Sequence, residues 1–335
     1  MMRTTLISTT VALALGLAPS ADAAGTRTHV SNSGSDANTA FSCDYAHPCR
    51  TFAAALGQTT AGGEILAIDS SGYGKVVIDR SVSIIAAPGV FAGIGVGAGG
   101  NATGVEIATA GVKVVLRGLS ITGQGGSHGI RMTSGAKLSV ENCLIADFAA
   151  SGQYGLRVSA PAQVRITDSL FRDNFNGAWV DSGATASVSD SRFFGGIAAF
   201  GVSDITGTTS TAYIDRSVAS GAFNGFSATA NSSGSSVRMY ITDSVATRNG
   251  GFGIGAAAGS GSTEVSVSNS LVSDSGQGFY AVGSGTRLVA SGNTVTRNDT
   301  AFYQSSAAVL ETAGNNMVSD NTAPTFGTVG LFSQM

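Results

Sequence analysis

From Lys113 to its C-terminus the sequence repeats one short pattern: an apolar strand, an Asn or Asp, a small residue, a second short strand, then a turn. Val164-Arg-Ile-Thr-Asp168-Ser-Leu-Phe, Met239-Tyr-Ile-Thr-Asp243-Ser-Val and Val265-Ser-Val-Ser-Asn269-Ser-Leu are three instances. The register position falls at Gly118, Asn142, Asp168, Asp190, Arg216, Asp243, Asn269, Asn293 and Asn315, at spacings of 22 to 27 residues. Self-similarity at that period specifies a solenoid. Each coil of a solenoid contacts only its neighbours, so the 335 residues read as one elongated unit whose core grows by stacking.

Bulk properties narrow the classes further. A hydrophobic content of 43% is enough to line a continuous core, while 12% charged residues and a net charge of −3 give no nucleic-acid footprint. The 47 glycines lack a collagen period and sit at recurrent corners, where the backbone needs positive φ or close approach. Register positions filled by Asn and Asp suit a tight left-handed bend, and their stacked side chains are expected to hydrogen-bond between coils. Five residues further on lie Asp173, Arg248, Asp274, Asn298 and Asp320, and an Arg248–Asp274 surface salt bridge is expected there.

The N-terminus reads as a leader. Met1-Met-Arg3 is a charged start, Leu6 to Leu17 is apolar, and Ala21-Asp-Ala23 offers a small-x-small cleavage site. The expectation is a signal peptide over 1–23 and a secreted or periplasmic protein, with cell-surface association open. No later segment approaches the ~18 uninterrupted apolar residues of a membrane span. Export permits disulfides. Cys43-Asp-Tyr-Ala-His-Pro-Cys49 has the spacing of a small bridged loop. A metal site with His47 as third ligand is the rival, though the second ligand pair that zinc spacing needs is missing. Cys143 reads as a packed free thiol.

Residues 24–62 stand outside the repeat. Thr26 to Ala40 are polar and read as a loop; Pro48 to Leu56 read as a short helix with Thr51 as N-cap and Phe52, Ala55 and Leu56 on one face. Such a helix would shield the open end of the core. The stack then runs over 63–335, starting with the strand-like Ala61–Ile68 and Lys75–Ile85. Gly93-Ile-Gly-Val-Gly-Ala-Gly-Gly100 has glycine spacings reminiscent of phosphate loops but lacks the Lys-Ser/Thr and the βαβ context, so it reads as a flexible turn and no nucleotide is expected. Asn101, Asn231 and Asn298 head glycosylation sequons. The stretch Ala323 to Met335 is either a last half-coil that caps the core or an exposed edge.

Each coil also supplies a strand led by Gly or another small residue, as in Gly129-Ile-Arg-Met132, Gly155-Leu-Arg-Val158, Gly177-Ala-Trp-Val180 and Gly278-Phe-Tyr-Ala281. Alternation across the strand sends Ile130, Leu156, Phe226, Phe252, Phe279 and Phe302 inward, predicting an internal aromatic stack. It sends Arg131, Arg157, Trp179, Ser203, Ser227, Gly253, Tyr280 and Tyr303 outward, with Asp181 pointing the same way as Trp179.

The Pro-Cys-Arg-Thr-Phe-Ala-Ala-Ala-Leu helix, the following Gly-Gly-Glu-Ile, Gly72-Tyr-Gly and the Val-x-Ile-x-Asn/Asp-Ser coils resemble bacterial right-handed parallel β-helix proteins of the pectate-lyase-like superfamily. The resemblance implies an all-β, right-handed parallel β-helix with an N-terminal capping helix, and a substrate groove along the Gly-led sheet. That superfamily holds polysaccharide lyases, hydrolases and epimerases as well as adhesins. Two neighbouring arginines suit the carboxylates of a uronate chain, because guanidinium is a planar fork, and Trp179 suits a sugar ring. The candidate substrate-binding residues are therefore Arg131, Arg157, Trp179, Tyr280 and Tyr303.

For catalysis the resemblance implies an Arg or Lys base with Ca2+ held by several acidic groups. Arg131 or Arg157 would be that base, with His128 and Asp181 as further candidates. Asp181 is the one clear acid on the face, so the expectation is a polysaccharide-binding face without evident cofactor. A uronate lyase or epimerase, the sole reading that would need Ca2+, and a structural or adhesion protein are the alternatives. Hydrolysis requires two placed carboxylates. Gly126-Ser-His128-Gly129 resembles only a fragment of the polygalacturonase pattern, and His128 reads as a coil corner.

Overall fold

The computed structural model describes residues 25–99 and 102–332. The expected leader and the Asn101 sequon lie outside them. Three parallel sheets run the length of the molecule. The first has thirteen strands, from Gly25–Val30 and Thr59–Ala67 through Lys137–Glu141 and Gln163–Thr167 to Gly330–Leu331. The second has eleven, mostly of three residues, such as Leu144–Ala146 and Leu170–Arg172. The third, also of eleven, contains the Gly-led strands: His128–Met132, Tyr154–Ser159, Asn176–Asp181, Ala198–Asp204, Asn224–Ala230, Phe252–Ala258, Gln277–Val282 and Thr300–Ser305. The chain visits third, first and second sheet in each coil, giving a right-handed parallel β-helix of about 10 turns.

The corner between the first and second sheets explains the repeat. Asn142, Asp168, Asp190, Arg216, Asp243 and Asn269 all adopt the left-handed region, with φ between 44° and 53°. In the last coils the position belongs to Gly292 (φ 66°) and Gly314 (φ 75°), one residue before the Asn293 and Asn315 read from the sequence. Of the register side chains, Arg216 donates to Asp190 of the preceding coil at 2.9 Å, while the continuous ladder between coils is carried by the next residue. Amide N–H groups of Ser169, Ser191, Ser217 and Ser244 donate to the hydroxyls of Ser191, Ser217, Ser244 and Ser270, at 3.1–3.2 Å. Asn293 and Asn316 continue the line through their Oδ1 atoms. The serines and Asn293 are buried, so each of these hydroxyls satisfies an amide that would otherwise lack a partner. At the following corner Asn249, Ser275, Asn298 and Asn321 form a second ladder. Asn298 is buried in it, which takes that sequon out of reach in the fold. Asp274 pairs with Arg297 of the next coil at 2.7 Å rather than with Arg248, and that bond, with help from Ser273, holds its carboxyl at about 2.

The core interior has three facing columns. In the third sheet the inward residues are Val105, Ile130, Leu156, Ala178, Phe200, Phe226, Ile254, Phe279 and Phe302. Phe252 is not among them; Ile254 holds its place, so the internal stack expected there reduces to the Phe279–Phe302 pair at 5.4 Å. Where this column narrows to Ala178, the second sheet supplies Phe171 and Phe193, stacked at 5.0 Å, and where it widens to Phe226 the second sheet narrows to Ala219. Large faces small so that the interior fills without voids.

At the N-terminus Thr51 caps the helix Phe52–Gln58, accepting from Ala54 N–H at 3.2 Å, and Phe52, Ala55 and Leu56 are buried over the first coil. Thr26 to Val30 are not loop but the edge strand of the first sheet, because Thr28 sits buried against Thr59. Lys75–Ile85 splits into Val76–Ile78 and Val82–Ala86 on different sheets. The glycine-rich Ala92–Gly97 is a strand with Ile94 and Val96 buried, not a turn. Cys43 and Cys49 are bonded to each other, and Cys143 is a buried free thiol whose ionisation burial pushes up to about 11. At the other end Ala323–Phe326 and Gly330–Leu331 add a last partial coil, but Met317, Val318, Phe326 and Leu331 stay exposed. Among the described residues no helix is long and apolar enough to cross a membrane.

Candidate functional site

The outward face of the third sheet carries one column of paired positions: Val77, Glu106, Arg131, Arg157, Trp179, Gly201, Ser227, Gly255, Tyr280, Tyr303 and Phe326. Two members differ from the sequence alignment: Gly201 stands where Ser203 was expected, and Gly255 where Gly253 was. Ala199 and Gly253 are the small lead residues of those strands. The lead position must be small because the next coil's backbone crosses it; a Cβ on Gly177 would lie 2.2 Å from the Ala199 carbonyl oxygen.

The N-terminal part of the column is charged, and its charges are largely paired. Arg157 donates through Nη2 to Asp181 Oδ2 at 2.6 Å and through Nε to Ser159 at 3.1 Å. Asp181 also accepts from Ser182 Oγ at 2.7 Å, and its side chain is only 2% exposed. Asp181 thus points outward as expected but is covered by its partners. Arg157 lies over the Tyr154 ring, 4.8 Å from its centroid, and Tyr154 stacks on His128 at 5.6 Å. His128 begins a strand rather than turning a corner. Burial and then the Arg131 and Arg157 charges push it down to about 4, so it is a neutral ring at pH 7. Arg131 is the more open guanidinium, with a loose contact to Glu106 at 3.8 Å. Lys75, Glu106 and Arg131 line a groove of about 540 Å³ beside Ala53 and Leu56 of the capping helix.

The C-terminal part is aromatic. Phe252, Tyr280, Tyr303 and Phe326 form a continuous outer stack with centroids 5.1, 5.3 and 4.7 Å apart and planes within 17°. Phe252 reaches the column by lying over Gly255, where a Cβ would sit 2.4 Å from its ring. Trp179 lies over Gly201 in the same manner, at 2.3 Å, with its Nε1–H donating to Ser203 at 2.9 Å.

The face therefore brings Arg131, Arg157, His128, Asp181 and Trp179 together, and places Tyr280 and Tyr303 several coils away. Sequence reasoning missed Glu106, Tyr154 and Phe326. Gly104-Val-Glu106-Ile has the same small-apolar-outward-apolar pattern as Gly129-Ile-Arg131-Met, so extending the alignment one coil upstream would have found Glu106. Calcium needs several carboxylate oxygens converging on one point. Here Glu106 and Asp181 are separated by the two arginine-bearing strands and each faces an arginine, so the donor set does not fit the ion. Among the described residues no group of three His, Cys, Asp or Glu could hold a metal. The zinc reading of Cys43, His47 and Cys49 fails because the thiols are joined to each other, while His47 Nδ1 meets Asp44 at 3.1 Å.

A family model described as the right-handed beta helix region matches residues 67–212 and 103–298. No curated protein matches the sequence. Among solved structures, the crystal structure of pectate lyase Pel9A is similar, with a TM-score of 0.61 and 15% identity, covering 90% of this chain and 81% of that one. At that identity the likeness is one of fold, and it agrees with the three-sheet stack found here. The chain belongs to the right-handed β-helix family.

Proposed function

We propose that this is an exported protein whose third-sheet face binds polysaccharide and does no chemistry on it. The observation that carries the reading is the single column in which an open arginine, a tryptophan and a four-ring aromatic stack follow one another. Arg and aromatic side chains are the types that anchor ligands, and the column's length suits a chain-like ligand. The leader-like residues 1–23 and the Cys43–Cys49 bond support export, to the periplasm, the medium or the cell surface.

A lyase or epimerase on uronate polymers, suggested by the pectate lyase of similar fold, is less well supported. Arg157 is bound to Asp181 and unsuited to be a base, His128 is enclosed, and the carboxylates do not converge. Binding of the protein from Ala24 onward to a panel of acidic and neutral polysaccharides, with calcium present, tests the proposal. Selective binding that Arg131→Ala or Trp179→Ala weakens is the expected result, and release of an unsaturated sugar would replace it with the lyase reading. Absence of any glycan binding would favour a structural or adhesion role. Exposed Met317, Phe326 and Leu331 at the uncovered end speak for that second reading, and it predicts concentration-dependent association by light scattering.

A further inference from the structure

The aromatic column is broken at one coil. Trp179 rests on Gly201 and Phe252 rests on Gly255, and the strand between them offers only Ser227 at the same register. Two strand intervals separate Gly201 and Gly255, over which the two rings lie, roughly 10 Å along the solenoid. The result is a depression of about 220 Å³ lined by Trp179, Asn224, Ser227, Thr229, Phe252 and Tyr280. One wall is the indole, fixed by its bond to Ser203; the other is Phe252, backed by Tyr280, Tyr303 and Phe326.

We propose that this slot is a subsite for one pyranose ring of a neutral glycan, a more specific statement that rests on the polysaccharide-binding reading above. A pyranose has apolar C–H faces and a rim of hydroxyls. Its C–H groups pack against the electron-rich faces of aromatic rings, and the slot provides an aromatic side chain at either end. Its rim needs hydrogen-bonding groups, and Asn224, Ser227 and Thr229 provide them. No Asp, Glu, Lys, Arg or His lines the depression. A uronate carboxylate would lose its water there without gaining a cation, so neutral sugars are favoured over acidic ones.

The test uses a reporter already in the slot, because Trp179 is the only tryptophan of the chain. Cellohexaose, mannohexaose and hexagalacturonate are titrated into the protein from Ala24 onward, with emission excited selectively over tyrosine and total binding followed by calorimetry. The expected result is a blue shift with a neutral hexaose. Ser227→Phe, which fills the slot, should abolish that shift, and Phe252→Ala, which removes one wall, should weaken binding roughly tenfold, with unchanged melting temperatures showing both variants folded. A neutral hexaose that binds by calorimetry in both variants as in wild type, without an emission change, overturns the slot and leaves the glycan face standing. Binding of hexagalacturonate alone does the same. No binding of any of the three removes both readings.

Discussion

At the residue scale, His128 shows how a side chain of catalytic type can be enclosed by its surroundings. Its Nδ1 is buried without a partner, Tyr154 covers one face, and Arg131 and Arg157 oppose protonation. The ring is therefore neutral in the fold down to about pH 4, whereas in the unfolded chain it protonates near its ordinary 6.5. The unfolded state takes up more protons between those values. Stability is then full above pH 6.5 and falls as the pH is lowered from 6.5 to about 4. Burial lowers the titration of His29 as well, adding to the decline in the same direction. Urea unfolding across that range should show the loss, and His128→Phe should flatten it. An unchanged slope in the variant would show that His128 is not its source. The identity of His128 was plain in the sequence, but its enclosure was not, because Tyr154 and Arg157 come from the next coil.

At the scale of a coil and its turn, Asp204 does what no motif announced. It ends the strand Ala198–Asp204, is fully buried, and accepts from the amides of Gly183, Thr206 and Thr208 and the hydroxyls of Thr206, Thr208, Ser210 and Ser235. Burial opposes its ionisation, but Thr208, Thr206 and Ser235 outweigh it and hold the carboxyl well below the usual carboxylate range. This one anion fastens its own turn to the coils on either side. Asp204→Ala would leave several buried donors unpaired and should cost about 3 kcal/mol or more, read as a lower denaturant midpoint. A change under about 0.5 kcal/mol, the size of a neutral surface substitution, would mean the turn re-forms without it. The strand alignment failed at this same coil, where Ala199 replaces the lead glycine. Gly201 and Gly255 were not singled out in the sequence, though Gly201 makes room for the Trp179 ring of the preceding coil and Gly255 for the Phe252 ring of its own strand.

At the scale of the whole molecule, the two ends differ. The helix Phe52–Gln58 covers the first coil, while the last one leaves Met317, Phe326 and Leu331 in solvent. A stack held by nearest-neighbour contacts frays from its less covered end. Amide hydrogen exchange should therefore be faster in Val309–Thr312 than in Thr185–Ser189, two strands of the same sheet. Equal protection would indicate that the exposed end is covered in solution.

The repeat period, the strand alternation, the capping helix and the placing of Arg131, Arg157 and Trp179 on one face were determined by the sequence alone, because each depends on contacts within a coil or at a fixed offset between coils. Tertiary structure decided what those residues are free to do. Whether Arg157 is open or bound to Asp181, whether Phe252 fills the core or joins the outer stack, and whether Trp179 borders a slot all depend on side chains that meet across coils of 22 to 27 residues. That variable length shifts alignment by a residue or two, and in a strand a shift of one turns a side chain from one face to the other.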